Sequence, residues 1–386
     1  MTLKEKSNGH QKHAFLQKPS LGKFHRNEWA ILGTPCGRIK KLAFAITEKL
    51  SHQLNIGYVD ADHKSADEEA DQGRDPRSAL GHGGNLEFTD KITFGRFDLD
   101  RKLNEFEMKP YFDAQDMVVV NGNHFQASRQ IVVIDPKKSL EKRIDQLTNV
   151  VLILTTEDDQ ELPEILTSKI DVSGIPVIDF NDYEAVAQFL FKSWEENIPR
   201  LRGMVLAGGR SVRMGQDKGK INYHGQDQRI HMWELLNRVC DDAVISIRPD
   251  QEQELSDYPT LADSFTDLGP FGAILSAFRQ DPDAAWMVVA CDQPYLGEEE
   301  LEHLKDHRNL SKVATCYHNP ETNFPEPLIT IWEPRAYKTL LHFLSLGYSC
   351  PRKALINSDC EVLQTPNDLM LKNVNTPEEY ARMSKV

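Results

Sequence analysis

The sequence predicts an α/β protein of two domains, each a mostly parallel sheet with helices on both faces. Three observations carry that expectation. The chain has 386 residues, too many for one ordinary hydrophobic core. From Trp29 onward, short β-branched runs alternate with amphipathic stretches, the rhythm of βαβ units. Finally, ENIPRLRG (196–203) is the one good hinge, where Pro199 closes a helical pattern before a new strand. The expected domains are therefore 28–199 and 200–386, preceded by a mobile, aperiodic tail over 1–27.

In the first half, WAILG (29–33) reads as a buried strand and 38–54 as an amphipathic helix, followed by a strand at 56–62. The polar, Gly-rich stretch 63–112 is expected to form loops and a hairpin. Further strands are predicted at 116–122, 130–135, 149–155 and 176–180, with helices near 160–169 and 181–196. In the second half, strands are predicted at 203–208, 243–247, 260–263, 286–292, 328–332 and 371–375. Helices are expected at 231–239, 271–279, 335–345 and 377–384.

Composition narrows the function. A net charge of -14 argues against a nucleic-acid backbone as partner, although a local basic pocket can still take a small anion. No apolar run approaches the roughly 20 residues that span a bilayer, and the polar, basic first 30 residues hold no secretory core. The six cysteines are scattered without a CxxC pair, which suits a reducing cytoplasm; most are expected to be buried small hydrophobes.

The most informative stretch is LAGGRSVRMGQDKGK (206–220). A strand delivers Leu206 and Ala207 to the carboxyl edge of its sheet. Gly208, Gly209 and Gly215 would then permit positive φ and close backbone approach, aiming N–H groups at phosphate oxygens. Arg210, Arg213 and Lys218 add positive charge. The spacing is neither a Walker A loop nor a GxGxxG fingerprint. Two acids join it: Asp263 ends TLAD, and Asp292 ends WMVVACD. A lone strand-end Asp is more often a helix cap or turn former. Two of them beside a phosphate loop, where α/β sheets gather ligands, favour a site in which a hard carboxylate holds Mg²⁺.

With LAGGRSVRMGQDKG (206–219), ADSFTDLGPFGAI (262–274), CDQPY (291–295) and NVNTPEEYAR (373–382) in this order, the second half resembles the molybdenum cofactor guanylyltransferase (MobA-type) family, from Gly203 to the end. The resemblance implies a Rossmann-like nucleotidyltransferase domain that transfers GMP from GTP to the phosphate of molybdopterin, with pyrophosphate leaving. It implies that Leu206, Ala207, Gly208, Gly209, Arg213 and Gly215 form the nucleotide site and that Lys218 contacts the triphosphate. Asp263 would sit at the nucleotide, Asp292 would ligate Mg²⁺, and Asn373 and Asn375 would approach the pterin. One position departs: the strand-end Asn of many relatives is absent after AVISI, where Ser246, Ile247 and Arg248 stand. Either Ser246 or Arg248 substitutes, or base reading is altered. Relatives of the guanylyl type carry Gly at Gly208, where a side chain would crowd the floor of the base pocket, so GTP is expected over CTP. No acid–base residue is needed, since a phosphate nucleophile is already ionised; His224 and His231 are read as surface residues.

In the first half, WAILGTPCGRIKKLAFAI (29–46) stands where a strand, P-loop and helix would lie, but Ile39 occupies the place of the Walker Lys. With Asp62-His63, GRDPRSALGHG (73–83) and DMVVVNG (116–122), this half resembles the molybdopterin-guanine dinucleotide adaptor (MobB-type) family, a P-loop GTPase fold. Relatives carry Glu where Asn121 stands. The expectation is a retained fold without GTP turnover. Docking of a molybdoenzyme or its chaperone follows only from the resemblance. The rival readings are a cytidylyl or sugar-phosphate nucleotidyltransferase and a non-catalytic nucleotide-binding scaffold.

Overall fold

A computed structural model describes residues 16–61, 78–157, 161–208, 222–248, 251 and 255–372. Gly209, Arg210, Arg213, Gly215, Lys218, Asn373, Asn375 and the Asp62-His63 pair lie outside the described residues, as does the helix expected at 377–384. The chain divides into two compact units: Leu21–Asn197, and Ile198 to the end together with residues up to Ser20.

The unit Leu21–Asn197 is built on six strands, β1 (Glu28–Leu32), β2 (Ile56–Val59), β5 (Met117–Asn121), β6 (Arg129–Ile134), β7 (Val150–Thr155) and β8 (Val177–Asp179). They lie in the order β2-β5-β1-β6-β7-β8, every pairing parallel. Period-two alternation sends Ile131 and Val133 to the face covered by α1 (Cys36–Leu50) and α4 (Tyr183–Glu195), where they meet Ile39, Leu42 and Val186. Val132 and Ile134 face the other side, with Leu140 and Leu166. Leu166 belongs to α3 (Glu164–Thr167), a single turn where a longer helix was expected.

Within 63–112, the expected hairpin is β3 (Leu86–Asp90) with β4 (Gly95–Leu99). The helix α2 (Glu105–Phe112) was not expected, although Asn104 and Glu107 form a capping box that the sequence displays. The tail expected over 1–27 also needs correction at its end. Phe24 is buried with its ring edge-on to Phe112 and Phe125, and the buried carboxylate of Glu28 accepts the N–H groups of Lys23, Phe24 and His25.

The unit from Ile198 carries a seven-stranded sheet. Its strands are β9 (Leu201–Leu206), β10 (Asp242–Ile247), β11 (Thr260–Ala262), β12 (Ala285–Ala290), β13 (Ala314–Asn319), β14 (Phe324–Trp332) and β15 (Cys360–Leu363). The order is β11-β10-β9-β12-β14-β13-β15; β11 through β12 run parallel, and β14 is antiparallel to both neighbours. One face packs on α6 (Pro270–Gln280) and α8 (Ala336–Ser345), where Val288 meets Phe271 and Phe278. The other packs on α5 (Gln228–Val239) and α7 (Glu298–Asp306), where Met287 and Val289 meet Met232, Leu236 and Leu301.

The elements α7, β13, β15 and the short helix α9 (Pro351–Ile356) were not expected. Residue 371, expected to open a strand, instead closes the 3-10 turn Asp368–Leu371. Burial of most cysteines is also overturned: only Cys240 and Cys316 are buried, and all six are free. Among the described residues, no helix is long and apolar enough to cross a membrane.

Candidate active site

Register brings Leu206, Ala207, Gly208, Asp263 and Asp292, the predicted site residues among the described ones, to one sheet edge. Leu206, the last residue of β9, pairs with Ser246 of β10 on one side and Ala290 of β12 on the other. Ile247 pairs with Ala262 of β11. Asp263, Arg248, Gly208 and Asp292 therefore leave four neighbouring parallel strands at their carboxyl ends. Between β9 and β12 the order of connection reverses, the place where an open α/β sheet leaves a crevice.

Ala207 is buried and its N–H donates to the Ser246 carbonyl at 3.0 Å, so this amide continues the sheet instead of facing a ligand. Gly208 is not in the left-handed region, against the expectation of positive φ. A Cβ built there would lie 3.6 Å from Arg248 and 3.8 Å from Asp263 Oδ2, ordinary contacts. The protein itself has room for a side chain at Gly208; what it would take is space in front of Asp263.

Ser246 and Arg248, which stand where many relatives carry the strand-end Asn, are placed differently. Ser246 is buried and donates its hydroxyl to Asp263 Oδ1 at 3.1 Å. Arg248, half-buried at the end of β10, donates from Nη1 to the Gly208 carbonyl at 2.8 Å. Ser246 thus bonds Asp263, whereas Arg248 bonds the Gly208 backbone. Burial raises the carboxyl of Asp263 above the usual range, and the Ser246 hydroxyl only partly offsets it.

The segment after Asp263 is tied down by α6. Ser276 accepts the N–H groups of Ser264 at 2.8 Å and Phe265 at 3.2 Å, while donating to the Gly272 carbonyl at 2.7 Å. Gly272 allows that approach: a Cβ there would stand 2.1 Å from the Phe265 carbonyl oxygen. Gly269, with φ 56°, supplies the left-handed turn before Pro270 opens the helix.

On the other side, Asp292 is half-buried two residues beyond β12. Gln293 beside it is 1% exposed, and its Oε1 accepts no hydrogen bond. A ring nitrogen of His224 lies 2.9 Å from the Pro294 carbonyl, and the ring stacks on His231 at 4.0 Å. Only His224 is exposed as expected; His231 is half-buried, and burial, then the neighbouring His224, lower its pKa. Sequence reading missed Gln293, Ser276 and Gly272.

Among the described residues, no three His, Cys, Asp or Glu side chains gather as a metal cage. Mg²⁺ commonly takes one or two carboxylates and completes its shell with substrate phosphates and water. The hard oxygen donors of Asp292 at the crevice fit that mode.

The family described as a MobA-like NTP transferase domain matches residues 203–359. A molybdenum cofactor guanylyltransferase of Pseudomonas fluorescens (strain SBW25) is 30% identical over 181 residues, 45% of this chain and 89% of that protein. A molybdenum cofactor biosynthesis bifunctional protein of Synechocystis is 37% identical over 186 residues, 48% of this chain; the match spans only 54% of that relative's length. The crystal structure of molybdopterin-guanine dinucleotide biosynthesis protein A from Archaeoglobus fulgidus aligns with 48% of this chain and 97% of its own, at 22% identity and a TM-score of 0.42. The sheet edge and the sequence matches define a nucleotidyltransferase. The chain belongs to the MobA-like NTP transferase family, in which its relatives include the molybdenum cofactor guanylyltransferases.

Proposed function

We propose that the second unit transfers GMP from GTP to the terminal phosphate of molybdopterin. The observation that carries this reading is the convergence of Gly208, Arg248, Asp263 and Asp292 at the carboxyl ends of four parallel strands, within a chain related to guanylyltransferases. A phosphate oxygen of the acceptor attacks the α-phosphorus of GTP in line; the α–β P–O bond breaks, and its electrons leave with pyrophosphate. The acceptor is ionised at neutral pH, so positioning and charge neutralisation supply the catalysis. Asp292 would hold Mg²⁺, which neutralises phosphate charge when bound. Arg248 presents a guanidinium beside Gly208 and is our candidate for reading the nucleotide in place of the absent Asn. The roles of Lys218, Arg213, Asn373 and Asn375 stay as the resemblance implies. Six free cysteines suit the reducing cytoplasm in which we set the reaction.

We read the first unit as a MobB-type fold without GTP turnover. Ile39 supports this, since its side chain is buried in the core of that unit instead of facing phosphate. Arg38, in the same segment, is engaged at 2.7 Å with Asp135, which also accepts the Thr34 hydroxyl. Asn121 is buried between Asp60 and the Asn123 amide.

The deciding assay supplies GTP, Mg²⁺ and molybdopterin and measures pyrophosphate and the dinucleotide. GTP is expected over CTP in kcat/KM by about one order of magnitude or more, the scale set by unpaired polar groups in a buried base site. Asp292→Asn, which keeps size and removes charge, should lower turnover by about two orders of magnitude. Equal use of CTP would defeat the guanylyl assignment, and near-normal turnover in folded Asp292→Asn would take that carboxylate out of the site.

A further inference from the structure

The unit Leu21–Asn197 carries a basic cavity that shares no residue with the site proposed above. It has a volume of about 580 Å³ and is lined in part by Asn123, Lys137, Lys138, Lys142 and Arg143, with Glu141 as the one acid among the described residues of its wall. Four cations against one anion leave the wall strongly positive in a chain whose net charge is -14. The ammonium groups of Lys137, Lys138 and Lys142 make no ion pair with any described acid. Arg143 is fixed instead by two carbonyls, donating to Gly122 at 3.2 Å and Asn123 at 2.9 Å. Lys138 is half-buried; burial lowers its pKa, the Cys36 thiol opposes the shift, and the neighbouring Arg143 adds to it. Such a cluster repels itself until an anion enters.

The fold places this cavity where a ligand would be expected. Asn123 follows β5, and Lys137 to Arg143 follow β6, so both segments extend from carboxyl ends of parallel strands. β5 and β6 flank β1 on opposite sides, which puts the reversal of the sheet's winding beside β1. The old phosphate loop after β1 cannot compete for the same anion through Arg38, which Asp135 already neutralises.

We infer that this cavity binds a small phosphate-bearing molecule, such as a diphosphate or a phosphomonoester. The volume lies within the range of small-molecule sites. Three unpaired ammonium groups and a fixed guanidinium match two or more phosphate charges. The overall negative charge disfavours a nucleic acid as the source.

Cys36 reports on the cavity from its rim, because the Asn123 amide lies 3.4 Å from its sulfur. The full-length protein is treated with iodoacetate or iodoacetamide, and modification of Cys36 is followed by peptide mass spectrometry. Anionic iodoacetate is expected to react with Cys36 faster, relative to neutral iodoacetamide, by about ten-fold over Lys137→Glu/Lys142→Glu, both exposed positions. Inorganic pyrophosphate, GMP and GTP are then added separately. Protection of Cys36 in the parent and not in the charge-reversed variant is the expected result. Equal protection by pyrophosphate and GTP means that phosphate alone is recognised; stronger protection by GTP or GMP means that a nucleoside is read as well. Nucleotidyl transfer by the second unit should be unchanged in the variant. An unaltered reagent preference, or protection that survives charge reversal in a variant with the parent's melting temperature, overturns the proposal.

Discussion

Asp263 holds a carboxylate where burial disfavours its charge. Its pKa is raised by that burial, and the Ser246 hydroxyl recovers only part of the loss. The folded protein therefore binds this proton more tightly than the unfolded chain does. The stability it contributes is present below the ordinary aspartate pKa and is lost as pH rises through the raised value. At neutral pH the ionised group opposes folding. Asp263→Asn is thus expected to melt no lower than the parent at neutral pH, with any advantage vanishing near pH ~4 as both chains lose the charge difference. Turnover should fall in the same protein, since the carboxylate faces Gly208 across the crevice. Paired melts at the two pH values check this, and a variant several degrees less stable at neutral pH would contradict it.

At the scale of the element, the loop from Ser264 to Gly269 depends on α6 for its shape. Gly272 admits the Phe265 carbonyl, and Ser276 accepts two of the loop's N–H groups. Gly272→Ala places a carbon 2.1 Å from a backbone oxygen, so the loop must shift. We expect a loss of about 1–3 kcal/mol in stability, as for overpacking. A larger proportional fall in kcat/KM is expected than this alone would give, because Asp263 adjoins the displaced loop. Denaturant melts and steady-state kinetics on the same preparation measure both, and intact kinetics in a destabilised variant would dissociate the loop from the site.

At the scale of the molecule, the unit Leu21–Asn197 owns a complete parallel sheet with buried clusters on both faces. The fragment 21–197 is therefore expected to fold alone and to unfold cooperatively. It should release no phosphate from GTP, since Ile39 lies in the core and Arg38 is paired with Asp135. Circular dichroism and a phosphate-release assay test the two parts separately. Release clearly above a blank would show that this unit turns over GTP.

The sequence by itself determined the α/β class, most of the parallel strands and the strand-end positions of Asp263 and Asp292, because these follow from local periodicity. It missed β13, which is Cys- and His-containing and held between β14 and β15, so that its burial comes from neighbours and not from its own pattern. It could not place Ser246 and Arg248. Their contacts depend on the register of β10 against β9 and β11, which turns Ser246 onto Asp263, 17 residues away, and carries Arg248 to Gly208, 40 residues away. Nor could it assemble the basic cavity of the first unit, where Asn123 meets Lys137 and Arg143 only because two parallel strands end together. Local chemistry fixes which residues can act; contacts between distant strands decide which of them share a site.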